Sequence, residues 1–144
     1  MAWLAENPPR RLNISLYGST EETYEKLCHY KGGLARVIRG FELLQKYGID
    51  FRVHGVLVPD NVDDYDGMKE ICNRFRVPME LSFYMFPPLR KEGDRKAKMR
   101  FTPEKMAEVG FRYRMDQCGG DTKQWHEFVE KKCEGMEHPE NRKH

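Results

Sequence analysis

The sequence predicts an α/β fold, a small sheet of three parallel strands covered by helices. Three observations carry that prediction. Short stretches of alternating apolar and polar residues mark the strands. Segments with helical apolar spacing separate them, the order expected of crossover connections. Each strand also keeps a polar second face, whereas a fully covered parallel sheet reads as continuous apolar sequence. A polar second face points to a barrel or half-barrel whose lumen binds a ligand at the carboxyl ends of the strands.

The elements follow in order. "MAWLAEN" reads as the last turns of an amphipathic helix, which the prolines of "PPRR" end before the first strand. In that strand Leu12, Ile14 and Leu16 face the helices, leaving Asn13, Ser15 and Tyr17 on the other side. Ser19 and Glu22 form a capping-box pattern that starts a short helix to about Tyr30. Gly32 and Gly33 interrupt it, and a longer helix carries Leu34, Val37, Ile38, Phe41 and Leu44, stopping at Gly48.

"DFRVHGVLV" (Asp50 to Val58) is the second strand, with Phe51, Val53 and Leu57 packed and Arg52 and His54 opposite. Asn61 is placed to N-cap the next helix, whose stripe is Tyr65, Met68, Ile71, Cys72 and Phe75. "MELSFYMF" (Met79 to Phe86) is the third strand, with Met79, Leu81, Phe83 and Met85 packed and Glu80, Ser82 and Tyr84 opposite. Pro87 and Pro88 end it, and the basic stretch "LRKEGDRKAKMR" follows. Thr102 and Pro103 start another helix, which "CGG" stops near Cys118. A last helix from about Thr122 sets Trp125, Phe128 and Val129 on one side.

The 144 residues fit one ordinary domain, and 25 basic against 23 acidic residues give no reason to expect nucleic acid or a membrane as a partner. With no apolar run of spanning length and no apolar leader, the expected location is the cytoplasm. Cys28, Cys72, Cys118 and Cys133 are scattered, so free thiols are expected rather than disulfides. Cys118, His126, Cys133 and His138 could be grouped into a zinc site, but their spacings match no common zinc pattern. An open three-stranded sheet leaves two edges, which favour pairing with another copy or with further strands. Pattern alone leaves two readings of the polar faces, a binding site or the wetted side of an incomplete sheet.

"LNISLYGSTEETYEKLC", "GGLARVIRGFELLQKYGIDFRVHGVLVPDNVDDYDGMKEIC" and "MELSFYMFPPLRKEGDRKAKMRFTPEKMAEVGFRYR" together resemble the second half of a radical S-adenosylmethionine enzyme. The resemblance runs from about Pro9 to Phe111 and is to the branch with a C-terminal SPASM region, which includes sulfatase-maturing and peptide-modifying enzymes. It implies a partial (β/α)6 barrel, a partial TIM barrel, of which residues 1–101 correspond to strands four to six and residues 102–144 to a helical linker before an auxiliary-cluster region.

In that family a serine on the fourth strand contacts the ribose of S-adenosylmethionine, and a basic residue on the following helix contacts its carboxylate. Ser15 and Arg36 match those positions. The residue types suit the task, since a hydroxyl can bond a ribose hydroxyl and a guanidinium grips a carboxylate by two bonds. Read without the resemblance, Arg36 is a solvated helix arginine and His54 a satisfied core histidine. His54, Val56 and Asn61 match the fifth strand and its end, and Tyr84, Met85 and Phe86 the sixth, which in that family line the adenine and the substrate side. Asn13 is a candidate from its place on the polar face of the first strand.

The implied activity is reductive cleavage of S-adenosylmethionine at a [4Fe–4S] cluster, giving a 5′-deoxyadenosyl radical that modifies a peptide or protein substrate. The sequence departs from the family in one decisive respect: it contains no CxxxCxxC loop, whose three thiolates hold that cluster. The expectation is therefore a fragment, inactive alone, of an iron–sulfur enzyme. The alternative is a stand-alone α/β binding or assembly module that has lost the cluster chemistry.

Overall fold

The computed structural model describes residues 2–10, 12–83, 100–124, 126–127 and 130. The chain divides into two compact units, Met1–Thr102 and Pro103–His144. In the first, α1 (Ala2–Glu6) is followed by β1 (Asn13–Leu16), α2 (Glu21–Cys28), α3 (Gly33–Lys46) and β2 (Arg52–Val56). A 3-10 turn (Val62–Asp64), α4 (Tyr65–Phe75) and β3 (Met79–Ser82) complete that unit, and α5 (Pro103–Gln117) belongs to the second. Tyr84, Met85, Phe86, the basic stretch to Met99, the Trp125, Phe128 and Val129 stripe, Cys133 and His138 lie outside the described residues.

The sheet is parallel, in the order β1-β2-β3. Its register aligns Ile14 with Val53 and Met79, and Leu16 with Gly55 and Leu81, on the packed face. Val53 and Leu16 are fully buried there. At Gly55 an added Cβ would stand 2.6 Å from Leu81 Cδ2 and 2.9 Å from Met68 Cε, so the missing side chain is what admits α4 to the sheet. Phe41 of α3 is the centre of the core, its ring centroid 4.8 Å from that of Phe51 and 5.3 Å, edge-on, from that of Phe75.

Helix α2 begins one residue later than the capping box implies. Thr20 is the cap, its Oγ1 accepting from the Thr23 N–H at 3.1 Å, while the Ser19 N–H donates to Asp64 Oδ2 at 3.0 Å. Helix α3 has a glycine cap, Gly32, with no side chain to offer. Glu21 of α2 fills that role, accepting the otherwise orphaned Ala35 N–H at 2.7 Å. Gly33 allows the two helices to meet, since a Cβ there would lie 2.6 Å from Tyr24 Cδ1. The stop at Gly48 is as expected, with φ of 65°.

The β2 and β3 ladders are shorter than the alternating runs that predict them. Leu57 still donates to the Ser82 carbonyl at 2.9 Å, but Val58 turns its N–H into the Asn61 side chain instead. The polar alternation also ends early, because Val56, Leu57 and Val58 are all buried.

In the second unit, α5 starts with Pro103, and the Gly120 N–H returns to the Met115 carbonyl at 2.8 Å to close it. Asp121 Oδ1 then accepts the Lys123 N–H at 2.8 Å, ahead of the helical residues from 122.

Candidate functional site

The face of the sheet opposite the helices is polar, and the register sets its residues in rows. Asn13 stands beside Arg52, and Ser15 beside His54, which in turn stands beside Glu80. Asn13 and Ser15 are exposed and His54 is half-buried. The Asn13 amide, the Ser15 hydroxyl and the His54 ring carry no hydrogen bond among the described residues, so all three are available to a ligand. Arg52 Nη1 reaches diagonally to Glu80 Oε1 at 3.2 Å. With both side chains about half exposed, that pair contributes at most about 1 kcal/mol.

The carboxyl ends of β1 and β2 are joined by one buried side chain. Asn61, 2% exposed, accepts the Val58 N–H through Oδ1 at 2.7 Å. Its Nδ2 donates to the Tyr17 carbonyl at 2.7 Å and the Val56 carbonyl at 2.8 Å. Asn61 does occupy the N-cap position of the 3-10 turn, but its side chain makes no capping bond. The expected capping role therefore passes to backbone, the Asp64 N–H donating to the Asn61 carbonyl at 3.0 Å. Asp64 on Ser19 and a Lys26–Asp60 ion pair at 3.0 Å add to the same connection.

Arg36 lies in the first half of α3, which runs antiparallel to the strands and so starts towards their carboxyl ends. The guanidinium is exposed and lies 5.0 Å over the Tyr30 ring. The family resemblance places Arg36 with Ser15. Among the described residues, however, no hydrogen bond or ion pair joins it to the polar face. A cation–π contact at an exposed site is worth only about 0.5–1 kcal/mol, little hindrance to a carboxylate.

The residues present fit S-adenosylmethionine better than they fit a cluster. A free hydroxyl and amide on an open face suit a ribose, and an exposed guanidinium suits a carboxylate. Cluster ligation needs grouped thiolates. Cys28, Cys72 and Cys118 are free and dispersed over three helices or their ends, and no three metal-binding side chains come together among the described residues. Burial raises the Cys28 thiol and pushes Cys72 up from 9.0 to about 11, away from the thiolate.

Burial, with smaller contributions from Cys28, Tyr17 and Glu21, likewise pushes the Tyr24 phenol up to about 12. Both groups are held neutral in the fold and ionise more readily when unfolded. Their contribution to stability is complete below the unfolded values and is lost as pH rises through the folded ones. Denaturation midpoints measured from about pH 8 to about pH 11 should fall with pH, and the fall should be shallower for Cys72→Ala. Equal slopes in the two proteins would mean that Cys72 is not held neutral.

A large open cavity of about 1180 Å3 lies elsewhere, at the amino-terminal ends of the strands, between Arg10, Asp50, Arg52 and Arg76. Ligands of open parallel sheets bind at the carboxyl ends. The polar row is therefore taken as the candidate site for the chemistry, and the cavity, which shares Arg52 with that face, is treated apart from it. No local sequence signal marks this cavity, because its lining comes from three separate chain segments.

Compared with known proteins, the chain matches no family model and no curated sequence. No helix among the described residues is long and apolar enough to cross a membrane.

Proposed function

We propose that this chain is the carboxyl-terminal half of a radical S-adenosylmethionine barrel, contributing part of the cofactor groove of an enzyme that modifies a peptide or protein substrate. The observation that carries the reading is the shared face of Asn13, Ser15 and His54, free polar groups on neighbouring strands in a sequence with that family's order of motifs. With S-adenosylmethionine bound, Ser15, Asn13, His54 and Arg36 would hold it, and it would supply the chemistry of hydrogen abstraction from the substrate. The thiolates of the [4Fe–4S] cluster must come from residues outside this sequence, which has no CxxxCxxC.

The roles of the chain's own residues follow from their chemistry. Ser15 bonds the ribose hydroxyls, and Asn13 and His54 line the groove beside it. Arg36 leaves the Tyr30 ring to hold the carboxylate by two bonds. The resemblance assigns Tyr84 and Met85 to the same groove, and both lie outside the described residues.

Titration calorimetry with S-adenosylmethionine tests it directly. With half the groove and no cluster, a Kd of about 1 mM is expected for the chain. Ser15→Ala and Arg36→Gln should each weaken it, by roughly threefold and roughly tenfold. Binding absent at several times that concentration, or unchanged in both variants, removes the cofactor role. A second reading, a stand-alone assembly module, is favoured by the outer positions of β1 and β3 in the sheet. A chain that ignores the cofactor and elutes from a sizing column as a discrete dimer supports that reading.

A further inference from the structure

We propose that the cavity at the amino-terminal end of the sheet binds a phosphate monoester with an apolar body. Its rim holds three guanidiniums, Arg10, Arg52 and Arg76, against one carboxylate, Asp50. Counting also the Glu80 carboxylate that Arg52 holds, one net positive charge remains at the opening, with the Arg10 and Arg76 guanidiniums unpaired among the described residues. The floor is apolar, closed by Ile49, Phe51 and Phe75. A monoester phosphate carries nearly two negative charges at neutral pH and offers three acceptor oxygens, which suits three forked donors.

The helices that end here raise an objection. Helices α3 and α4 both point their carboxyl ends towards the cavity, and such ends repel anions and attract arginines for their own sake. Most of the orphan carbonyls are nevertheless already engaged. Leu43, Leu44 and Gln45 carbonyls accept from the Tyr47, Ile49 and Gly48 N–H groups at 3.1, 2.9 and 3.0 Å. Cys72 and Asn73 carbonyls accept from Val77 and Arg76 N–H groups at 3.1 and 3.0 Å, and Gln45 Nε2 donates to the Phe75 carbonyl at 2.6 Å. Among the described residues neither Arg10 nor Arg76 has a hydrogen bond or ion pair from its side chain. Arg52 holds Glu80 only in an exposed pair.

Arg76 adds a further observation. It sits at the α4 C-cap with φ of 53°, a left-handed conformation that glycine or asparagine fills at lower cost. His29 takes the same conformation at the α2 C-cap, so the cap itself accounts for it, and what Arg76 brings to the cavity is its guanidinium, unpaired among the described residues.

The probe is 1-naphthyl phosphate, titrated into the full chain and followed by amide chemical shifts, with 1-naphthol and inorganic phosphate as controls. The expected result is a Kd below about 1 mM, with shifts centred on residues 10, 48–52 and 76–78. Both controls should bind at least tenfold more weakly. Arg76→Gln and Arg10→Gln should each weaken the probe about tenfold, the loss of one charge-assisted contact. Lys31→Gln, which removes an equal charge from the exposed α2–α3 connection, should leave it unchanged.

Equal binding of naphthol, shifts centred elsewhere, indifference to both arginine substitutions, or no binding at several millimolar would each overturn the proposal. Arg52 stands beside Asn13 where the two sites adjoin, but Arg10 and Arg76 belong to the cavity alone, and Ser15, His54 and Arg36 to the groove alone. Either reading can therefore fail without the other.

Discussion

Replacing Phe41 with alanine is expected to destabilise the first unit by about 3–5 kcal/mol. The ring is fully buried and meets Phe51, at the entry to β2, and Phe75, at the end of α4. Removing it deletes one of the largest side chains in the core and leaves a void between three elements, which cannot all move in to fill it. For a domain whose total stability is about 5–15 kcal/mol, that loss brings the folded state close to its limit. Urea titration monitored by circular dichroism measures it as a lower midpoint with an unchanged slope. Trp3→Ala is the comparison, because Trp3 is 70% exposed and its loss should shift the midpoint little. Similar midpoints for both variants would mean that the aromatic trio does not organise the core.

Much of this architecture is legible in the sequence because it rests on periodicity. The alternation of Leu12 to Leu16 and of Phe51 to His54 assigns each residue to a face, and of the expected stripe Tyr65, Met68, Cys72 and Phe75 turn inward as helical spacing requires, with Ile71 half-buried at its edge. Alternation does not say which residues on different strands become neighbours. The Ser15, His54 and Glu80 row depends on register, which the crossovers and the packing at Gly55 determine.

Features carried by side-chain-to-backbone bonds across long separations were the least legible. Ser19 looks like a cap until Asp64, forty-five positions away, takes its N–H and the helix begins at Thr20 instead. Asn61 looks like a cap because asparagine before a helix usually is one. Its partner Tyr17 is forty-four positions away, and nothing local announces it. Arg36 follows the same logic, since helical spacing puts it on an exposed face but cannot show that Tyr30 lies beneath it.

Asn61 is where these tertiary bonds matter most, and Asn61→Ala should cost roughly 3 kcal/mol. The substitution strands one buried N–H, of Val58, and two carbonyls, of Tyr17 and Val56. Each carries a desolvation penalty that the small alanine side chain cannot relieve. For a unit of this size the melting temperature should drop by on the order of 10 °C. Global loss alone would not distinguish this account from a simple packing defect. Amide exchange does, because the Val58 N–H should lose protection beyond what the global change explains.

Asn61→Asp provides a sharper comparison. It keeps an acceptor for Val58 but replaces the amide donor with a carboxylate facing two carbonyl oxygens. Burial and those oxygens favour the protonated acid in the fold, so its folded pKa lies above its unfolded one. The stability of this variant should therefore be greatest below the unfolded value and fall as pH rises through the folded one, relative to wild type. A melting temperature for Asn61→Asp that tracks wild type at every pH would show that the amide donor is not needed. The ends of β1 and β2, two residues beyond Ser15 and His54, would then be held together by the backbone ladder without it.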